Sequence, residues 1–189
     1  YWDNIQNFNL LQYDDNFEYA GVNPCAEEPL PAGGSCLLGS LNLAAFVDED
    51  EWGPKFAFED FEDAVELAVV ALNDVLDEGL PLHPLEEQRK SVADWRQIGL
   101  GIFGLADMLI QLGCKYGSRD AKILCHKIAR TMATAALRSS AKLAAEFGAY
   151  PKFNKGAVMS SEFFNEHFDD ETWKLTDAFG LRNSQLLTI

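Results

Sequence analysis

The stretch Val22–Leu43, VNPCAEEPLPAGGSCLLGSLNL, sets Cys25 between Asn23 and Glu27 and follows it, after a run of Pro, Gly and Ser, with Cys36 eleven positions on. Pro24 lacks a backbone N–H, so the segment cannot be a regular central strand and reads as a loop or hairpin tip inserted into a cavity. If NPCAE is extended, Asn23, Cys25 and Glu27 occupy i, i+2 and i+4 and project to one side, while Pro24 and Ala26 face away. One amide, one thiol and one carboxylate then converge on a small space. The PLPAGGS run turns the chain and brings Cys36 back into the same neighbourhood.

That grouping has a chemical consequence. A carboxylate beside a thiol favours the neutral S–H form, which makes a poor thiolate nucleophile. No histidine stands nearby in sequence to act as its base. A neutral S–H next to a proton acceptor and an amide able to hold hydroxyls suits hydrogen-atom chemistry better than ionic attack. The plainer alternative is a surface hairpin with two incidental cysteines.

Outward from this stretch the chain reads as helix-rich. Phe61, Ala64, Val65, Ala68, Val69, Leu72, Val75 and Leu76 recur at three- and four-residue steps, with acidic residues in the first turn and Gly79 at the end. This predicts an amphipathic helix from Phe58. Pro81 and Pro84 mark a loop, and a second helix is expected over 104–112, closed by Gly113. Ser118 caps the longest helix, 119–147, with Ala121, Leu124, Cys125, Ile128, Met132, Ala135 and Leu143 on one face. One or two short helices are expected within 160–179 and a final strand over 183–189. Residues 1–20 read as an irregular approach ending in a short strand near 18–22. With no repeats or linkers, residues 1–189 are expected to form a single helix-rich α/β unit.

Composition narrows the function classes. Thirty acidic against fifteen basic residues give a formal net charge of −15, so a surface of this sign repels nucleic-acid polymers and anionic membranes. There is no apolar run long enough to cross a bilayer. Four cysteines without close regular spacing fit a reducing cytoplasm better than a disulfide scaffold. GLGIFG, residues 99–104, matches a dinucleotide-binding pattern, but no parallel-strand run is evident before it, and the glycines are expected to open a helix instead. Cys114 and Cys125 repeat the Cys25–Cys36 spacing, yet zinc ligands usually lie two to four residues apart, and no metal site is expected. Tyr1 is not a methionine and the chain stops on the apolar run 186–189, from which an excised piece of a larger protein is expected.

The quoted stretch closely resembles the active-site finger loop (here about 22–43) of the catalytic subunit of ribonucleotide reductases, particularly the adenosylcobalamin-dependent type and related class I enzymes. The resemblance continues through WRQIGLGIFGLADMLIQLG, LAAEFGAYPKF and LRNSQLLTI, in order over nearly the whole chain. It implies part of a ten-stranded α/β barrel: the finger loop, a helical region at about 58–179 and a terminal strand at about 183–189.

The resemblance also implies roles. Cys25 is expected to carry the transient thiyl radical that takes the ribose 3′-hydrogen, and Glu27 to be the general base for the 3′-hydroxyl. Asn23 is expected to hydrogen-bond the substrate hydroxyls, and Cys36 to be half of the dithiol that reduces the 2′-carbon. It implies, for the parent enzyme, adenosylcobalamin or else a separate radical-generating metal-containing subunit, with no cofactor held by this piece. It further implies a ribonucleotide substrate, a thioredoxin-type reductant and a homodimer. The second cysteine of the dithiol, the allosteric nucleotide site and a phosphate-binding loop are expected outside these residues, so the piece alone is expected to be inactive. The rival reading is a non-catalytic helical interaction domain in which the loop merely packs.

Overall fold

The glycine-rich run Gly99–Phe103 is the centre of the only parallel sheet among the described residues, which in this computed structural model are 2–188. Before it come helix α1 (Trp2–Asn7), strands β1 (Gly21–Val22), β2 (Pro29–Leu30), β3 (Leu38–Asn42), β4 (Val47–Asp50) and β5 (Gly53–Phe56), and helices α2 (Phe58–Gly79) and α3 (Glu86–Trp95). The run itself is β6, and after it come α4 (Leu105–Gln111), α5 (Arg119–Phe147), α6 (Lys155–Ser160), α7 (Glu162–His167) and α8 (Asp170–Phe179).

β6 lies parallel to β3, with Leu38 opposite Gly99 and Asn42 opposite Phe103. On its other side, Leu100 bridges Leu187 in parallel, Ile98 N–H donates to Gln185 O, and Leu100 exchanges bonds with Leu186 and Thr188. The expected helix-opening role of GLGIFG is corrected for Gly99 and Gly101, which lie in the strand, and holds for Gly104, which caps the start of α4. A Cβ at Gly99 would stand 2.7 Å from Leu38 Cδ2, so any larger residue there would have to push the exposed Leu38 side chain aside. Gly104, at φ 73, then turns the chain from strand into α4.

The terminal strand expected over 183–189 is a single bridge with flanking hydrogen bonds, and Ile189 lies outside the described residues. Three parallel segments are present, and no closed sheet is seen among the described residues. The region around 18–22 pairs only at Gly21–Val22, and the approach expected to be irregular holds the short helix α1.

The two long helices supply the core. α2 buries Phe61, Val65, Val69, Leu72 and Leu76 at helical spacing against α5, each worth about 1.5–3 kcal/mol relative to exposure. α5 begins where Ser118 Oγ accepts from Ala121 N–H and ends at Gly148. Along its second half Ala133, Ala135, Ala136, Ser139, Ser140 and Ala141 are all buried, because small side chains let α2 and α8 approach on several sides. Cys125, expected on the apolar face, is only half-buried, since the first turns of α5 are covered on one narrow side.

A buried polar knot ties the end of the chain to these helices. Asn183 Oδ1 accepts from Asn73 Nδ2 (3.1 Å) and Ser140 Oγ (3.0 Å), and Asn183 Nδ2 donates to Asn73 Oδ1 (2.9 Å) and Arg96 O (3.0 Å). Arg96 ends α3 in the left-handed region (φ 48) and forks onto Asp77 at 2.6 and 2.9 Å. That fork holds the Asp77 carboxyl below its ordinary value. Helix α3 has no counterpart in the sequence expectations, because its stop is this arginine rather than a glycine.

Candidate active site

Local hydrogen bonding shapes the tip of the β1–β2 hairpin. Gly21 pairs with Leu30 and Val22 with Pro29, and the ladder is extended by Asn23 N–H to Glu28 O at 3.1 Å. Asn23 O then accepts from Ala26 N–H at 2.9 Å, and Asn23 Oδ1 accepts from Glu28 N–H at 3.0 Å. Ala26 adopts φ 63. The tip is thus a closed turn and not the extended NPCAE geometry that puts Asn23, Cys25 and Glu27 on one side. An asparagine that can satisfy two backbone groups locally favours the turn over the strand.

The four expected site residues separate accordingly. Asn23 faces inward at 9% exposure, Cys25 is exposed at the tip, Glu27 is half-buried and Cys36 is exposed. Asn23 and Cys36 are brought together, with Asn23 Nδ2 donating to Cys36 Sγ at 3.3 Å. Cys25 shares no hydrogen bond with the other three among the described residues.

The group that sequence reasoning missed is Glu28. It is 1% exposed, with its carboxyl carbon packed close to Gly99. Burial pushes its carboxyl up to about 7, against a smaller lowering by the Cys36 thiol and a raising by the neighbouring Glu27 charge, and neither carboxyl oxygen has a hydrogen-bond partner among the described residues. The Cys36 thiol is in turn raised, by desolvation first and by the Glu28 carboxyl next. The carboxylate-beside-thiol arrangement expected around Cys25 is thus realised at Cys36 and Glu28. One signal could have revealed it: in an antiparallel hairpin, Glu28 is the cross-strand partner of Asn23 and shares its face.

The end of the chain clamps this loop. Gln185 Nε2 donates to Pro29 O at 2.7 Å and to Tyr19 Oη at 3.3 Å, while Thr188 Oγ1 donates to Glu27 O. Between clamp and loop lies a cleft of about 290 Å³ whose walls include Leu10, Tyr19, Glu27, Pro29, Leu186 and Thr188. Glu27 lines this cleft, and its Oε2 is buried without a hydrogen-bond partner among the described residues. A buried carboxylate oxygen without a partner keeps its capacity to accept a hydrogen bond or a proton.

No group of three or more His, Cys, Asp or Glu with metal-binding geometry occurs among the described residues. Among those residues, no helix is long and apolar enough to cross a membrane.

The family model described as the ribonucleotide reductase barrel domain matches residues 4–189. A vitamin B12-dependent ribonucleoside-diphosphate reductase of Mycobacterium tuberculosis is 37% identical over 132 residues, covering 70% of this chain and 18% of that protein. The ribonucleoside-diphosphate reductase large subunit of African swine fever virus is 35% identical over 71% of the chain and 17% of its own length. A vitamin B12-dependent ribonucleotide reductase of Streptomyces clavuligerus is 28% identical over 95% of the chain and 22% of its own length. The chain therefore spans about a fifth of the length of the curated relatives it matches.

Proposed function

Because the chain belongs to the ribonucleotide reductase barrel-domain family, we propose that it is the part of a catalytic subunit that carries the radical step in reduction of ribonucleotides to deoxyribonucleotides. The observation that carries this reading is the loop itself: an exposed Cys25 at its tip, Glu27 at a cleft, and an Asn23–Cys36 hydrogen bond behind them.

In this reading Cys25, as a thiyl radical, removes the ribose 3′-hydrogen atom, and Glu27 takes the 3′-hydroxyl proton onto its unpartnered Oε2. Asn23 orients Cys36 through Nδ2, since its Oδ1 is committed to Glu28 N–H. Cys36 is one thiol of the pair that delivers reducing equivalents to the 2′-carbon, the other coming from the rest of the enzyme. A ribonucleotide substrate, a dithiol reductant of the thioredoxin type and a homodimeric enzyme accompany this role. The rival of a non-catalytic helical interaction domain leaves Glu27's placement at the cleft without purpose.

The names of the Mycobacterium and Streptomyces relatives favour adenosylcobalamin as radical source over a separate metal-containing subunit. The described clefts, about 280 to 370 Å³, lie at the small end of ligand pockets and do not fit a corrinoid. No residue of this chain is therefore assigned to holding it. What Cys25 offers is an accessible S–H for the hydrogen-atom transfer that starts the reaction.

The test is hydrogen-isotope exchange at the ribose 3′ position in the whole enzyme supplied with adenosylcobalamin. Exchange is expected to vanish in Cys25→Ser, whose O–H bond is too strong to relay the radical, and to persist in Cys36→Ser while net reduction stops. The reverse pattern in folded, substrate-binding protein refutes the assignment of the two cysteines.

A further inference from the structure

Gln97 is fixed in place from both sides. The carbonyl of Arg96 before it is held by Asn183 Nδ2 at 3.0 Å, and Ile98 after it donates its N–H to Gln185 O at 3.1 Å. Gln97 itself is 1% exposed, yet neither its Nε2 nor its Oε1 has a hydrogen-bond partner among the described residues. A buried carboxamide that uses neither its donors nor its acceptor costs stability. It lines a cleft of about 280 Å³ between the loop after β2, the end of α2 and α3. This cleft shares no lining residue with the one at Glu27.

We propose that this second cleft is a binding site for a small neutral ring bearing a cis-amide edge, a lactam or cyclic imide, read by the Gln97 carboxamide. The pairing is reciprocal: Gln97 Nε2 donates to the ring carbonyl while the ring N–H donates to Gln97 Oε1. A peptide bond of a docking chain matches this poorly, because the N–H and C=O of one trans peptide point opposite ways and meet only one end of the carboxamide.

The walls set the rest of the ligand's chemistry. Leu37, Leu76, Leu82 and Val92 line the cleft and suit the apolar body of a ring. Among its described lining residues there is no Lys, Arg, Asp or Glu, so a phosphate, carboxylate or ammonium group would be desolvated without a counter-charge. Ser35 and His83 are the other lining side chains that can hydrogen-bond. The volume, at the small end of ligand pockets, holds a single ring and not a ring with sugar and phosphates attached. The ligand class is therefore different from the nucleotide substrate, and the site does not depend on the reductase reading.

The probe is δ-valerolactam, titrated into the chain with ¹⁵N-labelled glutamine and followed by NMR at the Gln97 side-chain NH₂. A saturable shift of that signal is expected. N-methyl-2-piperidone keeps the carbonyl but loses the N–H, leaving Oε1 unpaired, and is expected to bind at least about tenfold more weakly. In Gln97→Met, followed at the Val92 methyls, that preference is expected to disappear. Equal binding of the two compounds by the wild type, or no saturable shift at Gln97, overturns the proposal even where the variant fails to fold. A preference retained in folded Gln97→Met overturns it as well. The whole enzyme, probed with the same pair by saturation-transfer NMR, is expected to keep the preference. Binding to the 189-residue chain that is absent from the whole enzyme would assign the cleft to the enzyme's own remaining polypeptide and overturn the proposal. None of these readouts uses turnover, so their failure and the failure of the proposed function are distinguishable.

Discussion

Glu28 also makes a prediction about folding, through Glu28→Gln. The carboxyl has an ordinary value of 4.5 and is raised to about 7 in the folded chain. Between those values the folded state holds a proton that the unfolded state has released, so stability falls as pH rises. The contribution is fully present below 4.5 and is lost as pH passes through about 7. Integrated from pH 5 to pH 8, the loss is about 2.5 kcal/mol as an upper figure, at about 1.36 kcal/mol per pH unit of differential proton binding. Urea unfolding followed by tryptophan fluorescence at the two pH values measures it. The wild type is expected to lose about 2 kcal/mol more than Glu28→Gln over that interval. Asp77 and Asp169, whose carboxyls are lowered, lose their stabilisation only at acid pH and do not enter the window. Equal losses in wild type and variant would refute the reasoning that Glu28 is buried and charges at a cost.

Three other outcomes follow from the structure. Alkylation of the native chain is expected to label exposed Cys25 first, then Cys36, whose thiol is raised, with half-buried Cys114 and Cys125 slowest; fast labelling at Cys125 contradicts the packing of α5. Asn183→Ala strands polar groups of Asn73, Ser140 and Arg96, and a loss of about 2–4 kcal/mol in urea unfolding is expected; a loss below about 1 kcal/mol would mean water replaces the amide. In the whole enzyme, Glu27→Gln is expected to slow deoxyribonucleotide formation by about 10² to 10⁴ while substrate binding is retained, the usual worth of a general base; an unchanged rate removes Glu27 from that role.

Much of this chain was legible from local pattern. Phe61, Val65, Val69, Leu72 and Leu76 announce α2, and Ser118 and Gly148 bracket α5, because helical periodicity and caps are written within a few residues. The turn-forming run after Pro29 likewise announced that Cys36 returns to Asn23, as the 3.3 Å hydrogen bond between them shows. The order of four motifs pointed to the family that the match over residues 4–189 establishes.

Tertiary structure alone decided the rest. Gly99–Phe103 has poor strand propensity and becomes the central strand only because β3 and the segment around Leu187 flank it. The closed turn at Ala26 replaced an extended tip because Asn23 bonds Glu28 across the hairpin. Gln185 and Thr188, more than 150 positions away, grip the loop at Pro29 and Glu27. Glu28 reads in sequence as one more solvated acid in a chain with thirty acidic residues. It is buried in the fold, its carboxyl carbon close to Gly99 of the distant strand β6, and the ionisation of a carboxyl is set by that desolvation, which its sequence neighbours do not encode.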